Sequence, residues 1–247
     1  MPKRPRSRSS ANYTPKRYRQ YTIGRPIPTK PSYCSPERKY YDQSWTGENI
    51  PAITTIWGNS SIINTGATVG SLVLPRSGTD INQRIGNKIA LSKLVVRFWV
   101  DTPIYTVDSA VPSAQIVRVM LVQNRQTNGA QCDAVDVILS DGTDEPMLLG
   151  FQNTGKFGKV RVLRDMIRKI PDRPIAFSST TATRTGGGMI YGKFVVTWKK
   201  PLTVRFQGDA GTIGDIMDNS FFIMAGCNQA SPNCRMSMKS RAYYTDA

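Results

Sequence analysis

The chain has 247 residues, with 33 Lys and Arg against 17 Asp and Glu, a net charge of +16 and no histidine. The missing histidine excludes Ser–His and Cys–His nucleophilic pairs and His-ligated metal sites. No P-loop, no Gly-x-Gly-x-x-Gly after a strand and no His-Glu-x-x-His occurs, so we expect no enzyme, no metal and no cofactor. The four cysteines (Cys34, Cys132, Cys227 and Cys234) form no Cys-x-x-Cys pair and show no metal-ligand spacing. They read as free thiols in an intracellular protein, with Cys227 and Cys234 as small buried hydrophobes. The charged N-terminus is followed by no apolar signal region, and no stretch is long and apolar enough to cross a bilayer. The basic arm also lacks the apolar face of an interfacial helix, so membrane insertion is not expected.

The first thirty residues, MPKRPRSRSSANYTPKRYRQYTIGRPIPTK, hold nine Lys or Arg and no Asp or Glu. Seven of the sixteen prolines fall in residues 1–36, where each fixes φ and removes a donor. Such a segment buries no core by itself and reads as a disordered arm seeking a polyanion. Lys3, Arg4, Arg6, Arg8, Lys16, Arg17, Arg19, Arg25 and Lys30 are the candidate phosphate ligands. Tyr13, Tyr18 and Tyr21 interleave the second cluster, and Tyr18 is the best candidate for stacking on a base of a single strand. Nine arm charges on a single strand imply a salt slope of about −6. The clusters Lys3-Arg4-Pro5-Arg6 and Lys16-Arg17-Tyr18-Arg19 also have bipartite nuclear-import spacing. We place the arm at residues 1–45 and one folded domain at residues 46–247.

Beyond the arm the pattern has period two, the mark of half-buried strands. Weak strands are expected near 52–57 and 67–74. In 90–100 the even residues Ala90, Ser92, Leu94, Val96, Phe98 and Val100 form an apolar face opposite Lys93, Arg97 and Trp99. Residues 115–123 set Val117, Val119 and Leu121 against Arg118, and 159–163 set Val160 and Val162 against Lys159 and Arg161. Residues 190–199 oppose Phe194, Val196 and Trp198 to Lys193 and Lys199; a further strand follows at 202–206. Residues 220–227 are apolar throughout, and 235–244 oppose Met236, Met238, Ala242 and Tyr244 to Arg235, Lys239 and Arg241. One short helix is expected around Asp133–Leu139. Many strands with turn-rich links at 77–80, 140–146, 184–188 and 208–215 predict an all-β fold, a single eight-stranded jelly-roll sandwich.

Charge is sorted along the chain. Residues 126–155 and 207–234 hold acids but no Lys or Arg, whereas the strands carry their cations opposite the core faces. A basic sheet surface is therefore expected, with Lys159, Arg161, Arg235, Lys239 and Arg241 as its nucleic-acid-binding residues. The acidic loops should face outward or meet neighbouring subunits. Asp141, Asp144 and Glu145 lack calcium-loop spacing and read as an exposed turn.

Four segments, in order, resemble the coat proteins of small circular single-stranded DNA viruses, the geminivirus group and its relatives with rolling-circle replication proteins. They are SGTDINQRIGNKIALSKLVVRFWVD at 77–101, with Gly78, Thr79, Arg84, Gly86 and Lys88 at the matching positions; RVMLVQNRQ at 118–126; VRVLRDMIRKI at 160–170; and NSFFIMAGCNQASPNCRMSMKSRAYYTDA at 219–247. The arm is shorter than in typical geminiviruses and lacks their Cys and His residues, so a relative from another lineage fits better. The resemblance implies a jelly roll that assembles into an icosahedral shell of sixty copies (T=1) and an arm that packages circular single-stranded DNA. It also implies delivery to the host nucleus by an import receptor reading Lys3, Arg4, Arg6, Lys16, Arg17 and Arg19. A non-assembling nuclear shuttle protein, or the coat protein of an RNA satellite virus, would share the arm and fold.

Overall fold

The computed structural model describes residues 37–50, 71–102, 106–107, 115–139, 148–170, 175–178, 181–184, 188–228 and 234–247. The chain divides into Met1–Ser35 and Pro36–Ala247, and all described residues belong to the second unit. They form ten strands, one single-turn α-helix and two 3-10 turns, so the all-β class holds. The strands are β1 (Lys39–Asn49), β2 (Lys88–Asp101), β3 (Thr106–Val107), β4 (Gln115–Asn124), β5 (Val160–Ile170), β6 (Ile175–Ser178), β7 (Thr181–Arg184), β8 (Met189–Arg205), β9 (Ser220–Cys227) and β10 (Arg235–Asp246). The helix α1 (Ala134–Val137) falls inside the expected span.

Three antiparallel sheets result, with orders β1-β10-β2-β8, β5-β4-β9 and the small β3-β7-β6. Chain order alternates between the two larger ones: β2 lies in the first, β4 and β5 in the second, then β8, β9 and β10 switch sheet at every step. Their facing sides share one core. Leu94, Val96, Phe98 and Val100 of β2, Phe194 and Val196 of β8, and Met236, Met238 and Ala242 of β10 pack with Val117, Val119 and Leu121 of β4 and Phe221, Ile223 and Ala225 of β9. At one margin Arg164 of β5 donates to the Val195 carbonyl of β8 at 2.9 Å, tying the two sheets edge to edge.

Strand β1 corrects the domain boundary. Lys39–Trp45, assigned to the arm by composition, pair residue by residue with β10, from Lys39↔Tyr244 to Trp45↔Met238. Lys39 is the reason the strand hides in the sequence. It points into the sandwich, fully buried, and its ammonium meets Asp246 at 2.9 Å. Ile50 continues the pairing through its N–H to the Cys234 carbonyl at 2.8 Å. The expected strand at 52–57 lies outside the described residues. Of 67–74 only 71–74 are described; they form no strand, but Leu72 donates to the Phe221 carbonyl on the open edge of β9 at 2.8 Å.

The alternation in β2 also needs correction. Ser92 is an extra residue: Lys93 pairs with Tyr243 and Thr197, while Leu91 pairs with Tyr244 and Leu202. A bulge reverses which parity faces the core. Ile89 and Leu91 therefore point inward with Leu94 and Val96, and Ala90 and Ser92 do not join the core face. At the same level β8 carries residues 198–201 unpaired, which joins the two segments read as separate strands into one. Pro201, which has no N–H to give a ladder, sits in that interruption. Farther along, Gly192 lies opposite Phe98, and a Cβ there would stand 2.2 Å from the Phe98 ring. Glycine makes room for that ring, which tilts against Phe194 at a centroid distance of 5.1 Å.

Strands β4 and β9 are buried on both faces. Their outward residues Met120, Val122, Phe222 and Met224 pack under Cys132, Ala134, Val137 and Ile138, so the stretch around α1 forms a third layer over the three-stranded sheet. Burial there pushes the Cys132 thiol up to about 12, with smaller contributions from nearby charges, Asp136 first. Arg118, expected on a solvated face, is instead a buried anchor of this layer. Its guanidinium holds both Asp165 carboxylate oxygens, at 3.1 and 2.6 Å, and donates to the carbonyls of Leu148 at 3.0 Å and Gly150 at 2.7 Å.

Candidate functional site

The outer side of the three-stranded sheet is covered, whereas no described element covers the outer side of β1-β10-β2-β8. Antiparallel pairing places its outward residues in rows. One row crosses all four strands as Ser44, Lys239, Arg97 and Lys193. The next reads Asp42, Arg241, Val95 and Val195, and the one beyond it Tyr40, Tyr243, Lys93 and Thr197. On the other side of the cationic row, Ser237, Trp99 and Tyr191 lie in line, followed by Asn49, Arg235, Asp101 and Met189. Adjacent strands are about 4.8 Å apart and alternate residues of one strand about 7 Å apart. The row Lys239–Arg97–Lys193 thus places three positive charges across about 10 Å of sheet.

None of these three cations makes an ion pair among the described residues. All three are exposed. Like charges directly opposite each other destabilise a sheet, by ~1 kcal/mol per pair at ~5 Å in water. Their neighbours are treated differently. Arg241 is held by both oxygens of Asp42, at 2.6 and 2.5 Å, and its guanidinium lies 4.7 Å over the Tyr40 ring. Hydrogen bonding to Asp42 raises the Arg241 pKa further, so it is always charged but locally neutralised. Lys93 sits 5.6 Å over the Tyr243 ring. A concavity of about 620 Å³ opens on this face, lined among others by Ser44, Lys93, Arg97, Lys193, Lys239 and Arg241.

The expected site residues distribute unevenly. Lys3, Arg4, Arg6, Arg8, Lys16, Arg17, Tyr18, Arg19, Arg25 and Lys30 lie outside the described residues. Lys239 is central to the cationic row, Arg241 flanks it with its charge taken by Asp42, and Arg235 lies two rows away beside Asp101. Lys159 and Arg161 belong elsewhere, which corrects their grouping with the other three. Lys159 precedes β5 and pairs with Asp136 at 2.6 Å in the α1 layer; Arg161 is exposed on β5, the edge of the other sheet. That hydrogen bond to Asp136 raises the Lys159 pKa. Sequence reasoning left out Arg97 and Lys193. Both stood opposite core faces in the alternation, but only strand order shows that β2 and β8 flank one another and put them level with Lys239.

The acid-only loops serve the fold first. Asp136 takes Lys159, Asp218 takes Arg205 at 2.5 Å, and Asp209 lies 3.5 Å from Arg84. Arg84, fully buried, donates Nε to the Pro75 carbonyl at 3.2 Å and its other nitrogens to the carbonyls of Gly86 and Gly208, with its plane 4.4 Å over Phe206. It stitches the loop before β2 to the loop after β8, with Gly86 supplying the positive φ of 80° for its turn. Among the described residues no group of three metal-ligating side chains occurs, and no helix is long and apolar enough to cross a membrane. No protein-family model matches the chain, and no curated protein matches it significantly in sequence.

Proposed function

We propose that this chain is the capsid protein of a virus with a small circular single-stranded DNA genome. In this reading it is a jelly roll that self-assembles into a sixty-copy icosahedral shell and holds the genome with its basic arm and the cationic face of β1-β10-β2-β8. The observation that carries the reading is the row Lys239–Arg97–Lys193, three cations side by side on a sheet face, with no ion pair and no covering element among the described residues. Chains do not keep such a row for stability, and phosphates neutralise it directly.

The strand order supports the jelly roll. Two sheets of orders β1-β10-β2-β8 and β5-β4-β9, with the chain crossing between them at most steps, fit two interleaved Greek keys. Leu72 on the open edge of β9 is where an eighth long strand would add. In a shell, the cationic face and the arm turn toward the genome. Nine arm charges in sixty copies supply ~540 positive charges, against on the order of a thousand phosphates. The protein then acts in the virion and the host nucleus, entering through the arm's two basic clusters.

Expression of the full chain, nuclease treatment of the lysate and imaging of the large fraction from a size column test this. Uniform shells about 20 nm across enclosing nuclease-protected DNA are expected. Soluble monomers or dimers that bind single strands yet fail to assemble with DNA supplied would leave the shuttle reading instead. Protected RNA rather than DNA would point to a satellite coat protein.

A further inference from the structure

We propose that the face of β1-β10-β2-β8 is itself a single-strand-selective nucleotide site, in which Trp99 and Tyr191 stack on bases while Arg97, Lys193 and Lys239 hold the adjoining phosphates. This rests on the nucleic-acid-packaging reading above and adds a second site to it, separate from the arm.

Trp99 and Tyr191 are direct cross-strand partners, one row from the cations. They are 39% and 76% exposed, the indole and phenol open to solvent where β-sheet proteins usually bury or pair such surface. Ser237 stands on the other side of Trp99, and its hydroxyl accepts the Gly47 N–H at 2.9 Å, so no bulky neighbour covers the ring from β10. The sheet therefore offers two adjacent strips about 7 Å apart, one aromatic and one cationic. A single strand has the same two-part character, with flat apolar bases along one side and phosphates along the other. Aromatic platforms beside a cationic track bind such strands without sequence preference, because every base has a π-face. A duplex keeps its bases stacked inside and offers this flat face only phosphates. The aromatic strip is what separates single from double strands; the cationic strip serves both.

The test uses the full-length protein stripped of nucleic acid at high salt, with a short oligothymidylate carrying 5-bromouracil and a duplex of equal length. Ultraviolet crosslinks are expected within β2 and β8, at Trp99 and Tyr191, as well as in the arm. The double variant W99A/Y191A should weaken single-strand binding by about 5- to 150-fold per stacked base, with the salt slope and duplex affinity unchanged. W99F should restore much of the loss. The triple variant R97Q/K193Q/K239Q should reduce the salt slope by about 2 on the single strand and about 3 on the duplex. Crosslinks confined to residues 1–36 in the wild-type protein would overturn the inference. So would a triple variant that binds normally but no longer assembles, which would make the face a contact between copies. Shells with packaged DNA in either case leave the capsid reading standing; selective face binding by a protein that never assembles removes that reading and keeps this one.

Discussion

Arg84 shows how one side chain can fix two loops that meet at one end of a sheet. Its guanidinium spends its donors on the carbonyls of Pro75, Gly86 and Gly208 while stacking on Phe206; Pro75 is buried with it, Gly208 is half-buried and Gly86 is exposed. Methionine keeps much of the volume and none of the donors. R84M therefore leaves the buried Pro75 carbonyl without its donor, at about 1–3 kcal/mol, and unties the two glycine carbonyls, and we expect a loss of about 2–3 kcal/mol in urea unfolding at pH 7. An unchanged unfolding midpoint would mean that water replaces the guanidinium at no cost.

Among the elements, the four-stranded sheet keeps a row of like charges that its fold does not need. Lys239 faces Arg97 directly, and Arg97 faces Lys193. Removing one charge should help the empty protein and harm binding. K239Q is expected to raise stability by about 1 kcal/mol, about 2–4 °C in a domain of this size, while weakening single-strand binding. D42N acts in the opposite sense on binding. It frees Arg241 and should steepen the salt slope by about 0.7. Calorimetry beside a salt titration on the same preparations checks both variants. A parallel loss of stability and affinity in K239Q would mean that the row is held by contacts of its own.

For the whole molecule, the perturbed groups all act on the alkaline side. Burial raises the Cys132 thiol to about 12 and also raises Tyr41 and Tyr244, the last with help from the Asp246 charge. Each is an acid whose neutral form the folded state favours. Its contribution is complete below the unfolded pKa and is lost as pH rises through the folded one. Lys159, raised by its hydrogen bond to Asp136, likewise contributes fully below its unfolded value and loses that contribution above. The melting temperature should therefore hold level to about pH 9 and fall steadily from there to pH 12, a course that calorimetry follows directly. Deleting residues 2–30 should leave the body's melting transition in place while removing nuclear import, genome packaging and about 6 units of salt slope. A body that unfolds without those residues would show that the arm is part of its core.

Much of this was written in the chain itself. Period-two alternation marked β2, β4, β8 and β10, and the continuous apolar run marked β9, because a strand face meeting a core must be apolar whatever lies across from it. The arm's composition, nine cations and no acid in thirty residues, raises the expectation of a polyanion partner for the same local reason. Other features depended on residues far apart in sequence. Strand β1 stayed hidden because its inward positions include Lys39, whose charge is tolerated only where Asp246, 207 residues away, comes back to meet it. The face reversal at Ser92 depends on register with two other strands. Arg118 and Lys159 looked like solvated cations until the layer around α1 brought Asp165 and Asp136 to them. The row Lys239–Arg97–Lys193 exists only because β10, β2 and β8 are neighbours in space. Sequence by itself determined most of the long strands and the excess of positive charge, since both follow from local composition and period. Which charges cancel and which stand together was decided by strand order and register, because electrostatic partners are set by distance in space and not by distance along the chain.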